Sequence, residues 1–196
     1  MSTVVAPYVT QWSSEEAAPF QMIALPGGIG YADETLGDRD SRGILWTRTP
    51  SRHGEGKPVF GLVHGPRQRR AMRRLLCQVC AGPADRSTDG VLWILQDQRE
   101  DWPGWPNRMG ITEPPICLPC AELSTRLCPA LRRGHVLIRA RTHPLAGVFG
   151  MQYEPGLPTP VRTETGLVAF DSPRIRWTLA AQLIRELNDC TILETP

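Results

Sequence analysis

Two CxxC pairs, Cys77 with Cys80 and Cys117 with Cys120, are the residues best spaced for chemistry in this chain. They take four of its six cysteines, and 36 residues lie between the pairs. In a CxxC turn both sulfurs can face one ion. Two such turns complete the tetrahedral thiolate set of structural zinc. The spacing therefore predicts one structural zinc ion held by Cys77, Cys80, Cys117 and Cys120. Four thiolates also hold iron–sulfur clusters, but the paired spacing without a third nearby cysteine favours zinc. Redox dithiols need a setting that lowers a cysteine pKa, and neither pair has the strand–turn–helix context for it. Cys128 and Cys190 read as small buried hydrophobes.

A second constellation is cationic. The stretch 67–74 carries five arginines in eight positions: Arg67, Arg69, Arg70, Arg73 and Arg74. Arg132 and Arg133 stand just beyond the second cysteine pair. Clustered guanidinium groups offer fixed charge and planar, bidentate geometry to phosphate. If both stretches meet across the metal, they form one face for a nucleic-acid backbone. A protein partner and a merely solvated helix face are the alternatives. Lys57 is the only lysine among the 22 Lys and Arg residues. With the frequent Ala, Gly and Pro, the arginine excess also reads as the coding bias expected of a GC-rich bacterial or phage genome, which carries no function. Trp102 and Trp105, in "DWPGWPNR", could present rings to bases or a partner, or cover the zinc module.

Catalytic motifs are absent. His53, His64, His135 and His143 form no HExxH, and no serine sits in a nucleophile elbow. "GGIG" at 27–30 lacks the full dinucleotide or phosphate-loop pattern and reads as a glycine turn. The expectation is a non-catalytic binding protein. A divergent metal-dependent nuclease or small-molecule enzyme is the alternative, requiring histidines that converge from distant positions.

The elements that must position these groups are short. The chain has 196 residues, 19 of them proline and 18 glycine, so turns abound. Net charge is only +2, so any cationic face must be local. Strands are expected at 20–26, 44–50 and 58–65 as a small N-terminal sheet, then at 91–95, 135–140, 147–153 and 166–170. Helices are expected over 66–77, opened by Pro66, over 119–133, stopped by Gly134, and over 171–190. The last has Asp171 or Ser172 as cap, Pro173 in its first turn, and Trp177, Ala180, Ala181, Ile184 and Leu187 along one side. No run reaches the roughly 18 apolar residues of a spanning helix. The first residues lack the regions of a signal peptide. A cytoplasmic protein without membrane contact is expected, and in that compartment thiols stay reduced.

The order of a cysteine knuckle, strand material and a second pair at a helix start resembles a treble-clef zinc finger over 75–133. Some treble-clef proteins are HNH nucleases with two structural CxxC pairs. They place Asp-His or His-His and an Asn near those cysteines, whereas the interval between Cys80 and Cys117 holds no histidine. A zinc ribbon is the structural alternative. The run of strand and helix candidates leads to an expected α+β fold: a small mixed sheet and helices around this treble-clef-like module. Residues 1–19 are expected as a loose arm and 20–196 as one domain, with the zinc module at 75–133 and C-terminal strands plus a helix at 135–190.

Overall fold

The computed structural model describes residues 5–193. Strands dominate it. β1 (Thr10–Trp12) pairs antiparallel with β4 (Pro58–Val63), and β2 (Met22–Leu25) with β3 (Gly28–Tyr31). Pro26 and Gly27 turn the second hairpin, with Gly27 at a φ of 83° that favours glycine. A Cβ on Gly28 would lie 2.5 Å from the Arg176 carbonyl oxygen, so only glycine lets this turn lie against residue 176. The glycine turn expected at 27–30 is thus confined to Pro26 and Gly27, because Gly28, Ile29 and Gly30 belong to β3.

Seven strands form a curled sheet: β5 (Arg86–Ser87), β6 (Gly90–Gln96), β7 (Met109–Ile111), β8 (His135–Thr142), β9 (Leu145–Glu154), β10 (Val161–Ala169) and β11 (Thr178–Leu193). Two α-helices accompany them among the described residues, α1 (Gly65–Arg74) and α2 (Leu118–Leu127). The expected α+β arrangement around a helical zinc module is therefore corrected to a mostly β fold with the sheet at its centre.

The main source of that error is 171–190. Ser172 does cap, accepting from the Arg174 N–H, and Pro173 does sit in the first turn. The helical backbone lasts only through the 3-10 turn Pro173–Trp177, and β11 then runs for 16 residues. Thr142 lies opposite Asn188, and Leu145 opposite Arg185. The Glu186 N–H bonds the Pro144 carbonyl between them at 3.0 Å, so β8 and β9 act as one long partner of β11. A helix here would leave that ladder without its partner, with backbone groups unpaired.

The apolar spacing of three and four arises because β11 is buried on both faces. Leu179, Ala180 with Leu183, and Leu187 enter three different core clusters. Register shifts between Ala180 and Gln182, and between Ile184 and Arg185, further break the alternation. A doubly buried strand shows no period of two.

Helix α1 packs on β11. His64 is its N-cap, accepting from the Arg67 N–H at 3.3 Å. Leu75, at a φ of 52°, ends it, and the Leu76 N–H returns to the Ala71 carbonyl at 3.0 Å. Gln68 is fully buried beneath it. Its amide donates to the carbonyls of Leu183 (2.8 Å) and Thr112 (2.7 Å) and accepts from the Leu183 N–H (2.9 Å). This one side chain completes the hydrogen bonding of β11 where no strand is beside it. The Arg185 guanidinium bonds the Met72 carbonyl at 2.6 and 2.9 Å, placing positive charge at the C-terminal end of α1.

Candidate metal centre and arginine-lined cleft

The first cysteine pair lies on a knuckle directly after α1. The Cys77 N–H bonds the Gly82 carbonyl (2.7 Å), and the Ala81 N–H bonds the Cys77 carbonyl (2.9 Å). The Val79 N–H points at the Cys77 sulfur at 3.4 Å. Ala81 takes the left-handed region at a φ of 61°, a conformation usually left to glycine.

The second pair is delivered by the sheet. Ile116 donates to the Leu92 carbonyl and accepts from the Asp85 N–H, both at 3.0 Å. That clamp sets Cys117 beside the knuckle as the N-cap of α2, with Cys120 in the first turn. The N-terminal end of α2 then favours negative sulfur.

All four sulfurs lie within 4.8 Å of one another. The Cys77–Cys117 separation is 3.6 Å and the Cys80–Cys117 separation 3.8 Å. A tetrahedron with metal–sulfur bonds of about 2.3 Å has sulfur edges of about 3.8 Å. The donor set fits a single metal ion. Cys77 is buried among Leu92, Ile94, Ile116 and Ala121, while Cys80 faces solvent. Burial and the crowding of Cys117, Cys77 and Cys80 push the Cys120 thiol upward. A divalent cation at the centre reverses that balance, because it stabilises thiolate directly. Cys128 stands at the C-terminal end of α2, outside the cluster. Cys190 packs against the main core, where burial pushes its thiol up to about 11.

The arginines of α1 divide into two groups. Arg67 is buried, and its guanidinium is fully engaged: with Glu15 at 2.6 and 2.7 Å, and with the carbonyls of Tyr8 and Thr10, each at 2.7 Å. It staples the segment around β1 to α1 and offers nothing to an outside anion. Burial of the Glu15 carboxyl opposes ionisation, but Arg67 and the N–H groups of Trp12 and Arg52 outweigh it, holding the pKa near about 2. His64 is sealed beside this pair, its Nε2 on the Pro50 carbonyl at 2.9 Å. Burial pushes its pKa down and favours neutral imidazole.

Arg69, Arg70, Arg73 and Arg74 instead line a cleft of about 420 Å³, closed opposite by Gly37, Arg39, Asp40 and Trp46. The Arg69 guanidinium lies 4.2 Å from the Trp46 ring centroid. Burial, with Arg73 nearby, depresses its pKa, only partly offset by Asp40. No carboxylate pairs with Arg69, Arg70 or Arg74 among the described residues. Arg70 reaches the Tyr8 hydroxyl at 3.1 Å, and Arg73 meets Asp40 only at 3.5 Å. The buried indole N–H of Trp46 also lacks an acceptor among the described residues. The cleft therefore holds donors and positive charge in excess of acceptors.

Arg132 and Arg133 are exposed on the 3-10 turn Leu131–Arg133 after α2, and neither lines this cleft. Trp105 is buried with Trp93, Val136 and Leu187 in the main core, and Trp102 is 37 % exposed beside it in sequence. Trp46 and Asp40 carry no motif, and their roles come from meeting α1 in space. Gln68 lies within α1, and its role comes from reaching Leu183 of β11 and Thr112.

Compared with protein-family models, curated proteins and solved structures, the chain matches none. The treble-clef and HNH resemblances thus have no support from relatives. What stands is a four-sulfur cluster able to hold a metal ion.

Proposed function

We propose that this protein is a zinc-stabilised, non-catalytic binding module that holds the phosphate backbone of nucleic acid in the cleft along α1. The observation that carries the reading is Arg69: a half-buried cation stacked on Trp46, without a carboxylate partner among the described residues, beside three further arginines. A desolvated guanidinium without a counter-charge is costly, and an incoming phosphate relieves that cost.

Zinc suits the metal centre because four thiolates close its tetrahedron and leave no open position for chemistry. The order of knuckle, β5–β6 hairpin and α2 N-terminus supports a treble-clef-like reading of this unit. In that reading the ion ties the knuckle, and hence the C-terminal end of α1, to α2 and the sheet. Free thiolate ligands suit a reducing compartment such as the cytoplasm.

Binding through four arginines releases counterions, so the duplex-DNA affinity should fall with log salt at a slope of about −3.6. A mobility-shift series across salt tests this with wild type and an Arg69→Gln/Arg70→Gln/Arg73→Gln/Arg74→Gln variant. The expected result is a steep slope for wild type and a nearly flat, weak response for the variant. Equal, weak binding by both proteins would reject the cleft as a nucleic-acid site.

A further inference from the structure

A second hollow lies across a ridge from the arginine cleft. The ridge is a tight loop: Trp46 N–H bonds the Asp38 carbonyl at 2.9 Å, Asp40 N–H the Ile44 carbonyl at 3.1 Å, and Gly43 N–H the Asp40 carbonyl at 2.8 Å. Arg39 borders both hollows and is spent on holding the ridge. It donates to Glu34 at 2.6 and 2.9 Å, to the Ile29 carbonyl at 2.7 Å and to the Gly43 carbonyl at 2.9 Å.

The second hollow measures about 560 Å³. Gly27, Gly28, Arg42 and Arg176 line it. Neither of these arginines has a carboxylate partner among the described residues. Glu34, its one acid, is already paired with Arg39. The Arg42 guanidinium lies 4.5 Å from the Phe170 ring centroid, repeating the arrangement of Arg69 over Trp46. In both hollows the ring lies under a guanidinium rather than open to a base. Each hollow thus presents charge and hydrogen-bond donors, and base stacking has no free platform in either.

We propose that the two hollows form one phosphate track, in which a nucleic-acid strand held by Arg69, Arg70, Arg73 and Arg74 continues over the Arg39 ridge to Arg42 and Arg176. This rests on the α1 cleft being a nucleic-acid site, and it adds the polymer's path and its mode of recognition. The ligand is a polymer rather than a mononucleotide, since a single nucleotide fills one hollow only. Contact is with the backbone, so affinity is insensitive to base sequence.

The test uses full-length, metal-loaded protein and fluorescein-labelled single strands of about 4 and about 20 nucleotides, with fluorescence anisotropy across salt. The first-hollow variant is Arg70→Gln/Arg74→Gln, and the second-hollow variant is Arg42→Gln/Arg176→Gln. An Arg42→Lys/Arg176→Lys variant keeps the charge, and thermal melts confirm that each protein is folded. For the longer strand, the second-hollow Gln variant should flatten the salt slope by about 1.4, or roughly 25-fold in affinity near 0.1 M salt when extrapolated from 1 M. The short strand should be little affected, and the Lys variant should keep the wild-type slope. If the first-hollow variant weakens binding while the second-hollow variant leaves the longer strand's affinity and slope unchanged, the track is refuted and the α1 cleft survives. If wild type shows no salt-dependent binding to either strand, both readings fall.

Discussion

Replacing Gln68 by Met should cost this protein a large share of its stability, although no charge, metal ligand or surface residue changes. The two side chains have similar length, so the site stays filled. What disappears is the amide that meets the Leu183 N–H and carbonyl at 2.9 and 2.8 Å, and the Thr112 carbonyl at 2.7 Å. Leu183 is 2 % exposed, so water cannot replace those bonds without opening the packing of α1 on β11. An unsatisfied buried donor or acceptor costs about 1–3 kcal/mol. Two such groups on Leu183 and a third, half-buried one on Thr112 give a loss of about 3–5 kcal/mol. Against a typical domain stability of about 5–15 kcal/mol, that is a severe change. Urea unfolding followed by tryptophan fluorescence measures it as a lower midpoint, and hydrogen exchange should show faster exchange at the Leu183 amide. A loss under about 1 kcal/mol with an unchanged denaturant slope would show that Gln68 does not complete the β11 ladder.

Other consequences are as direct. Chelation that strips the bound metal should lower the melting temperature and loosen 75–133, and Cys77→Ser should do the same; elemental analysis should find one ion per chain in wild type and less in the variant. Unchanged melting after proven metal loss would contradict a structural ion. Glu15 has its pKa held near about 2 in the folded chain, against an ordinary value of 4.5. Its stabilising contribution is therefore complete above about pH 4.5 and is lost as pH falls toward about 2. Urea midpoints of wild type and Glu15→Gln should converge over that window, and a gap constant down to pH 2.5 would refute the assignment. Ala81→Gly should raise stability by about 1 kcal/mol, because Ala81 holds a positive φ. A fall in the unfolding midpoint would mean that the knuckle does not carry this strain.

Local chemistry was legible where neighbours in sequence decide the outcome. The CxxC spacing identified all four sulfurs that converge. Pro66 and the run of arginines marked α1, and the alternation of turn and β-branched residues found β6, β8, β9 and the C-terminal end of β10. Ser172 and Pro173 also began a helical turn as their types require. The continuation failed at Thr178, because the spacing of Ala180, Ile184 and Leu187 fits a helix stripe and a doubly buried strand equally well. Choosing between them needs the partner strands, which lie more than 20 residues earlier. Likewise, five arginines looked alike in the sequence. Only Glu15, arriving from 52 residues away, withdraws Arg67 from the surface, and only Trp46 gives Arg69 its stacked position.

The sequence by itself determined the four sulfurs able to hold a metal ion, the start of α1 and α2 and the concentration of positive charge in 67–74, since these depend on contacts within a few residues. The tertiary structure alone decided that the sheet dominates, that Gln68 and Arg185 fasten α1 to β11, and which arginines remain free. The physical reason is that hydrogen bonds and counter-charges are satisfied by whatever the folded chain brings within about 3 Å, and sequence separation places no limit on that.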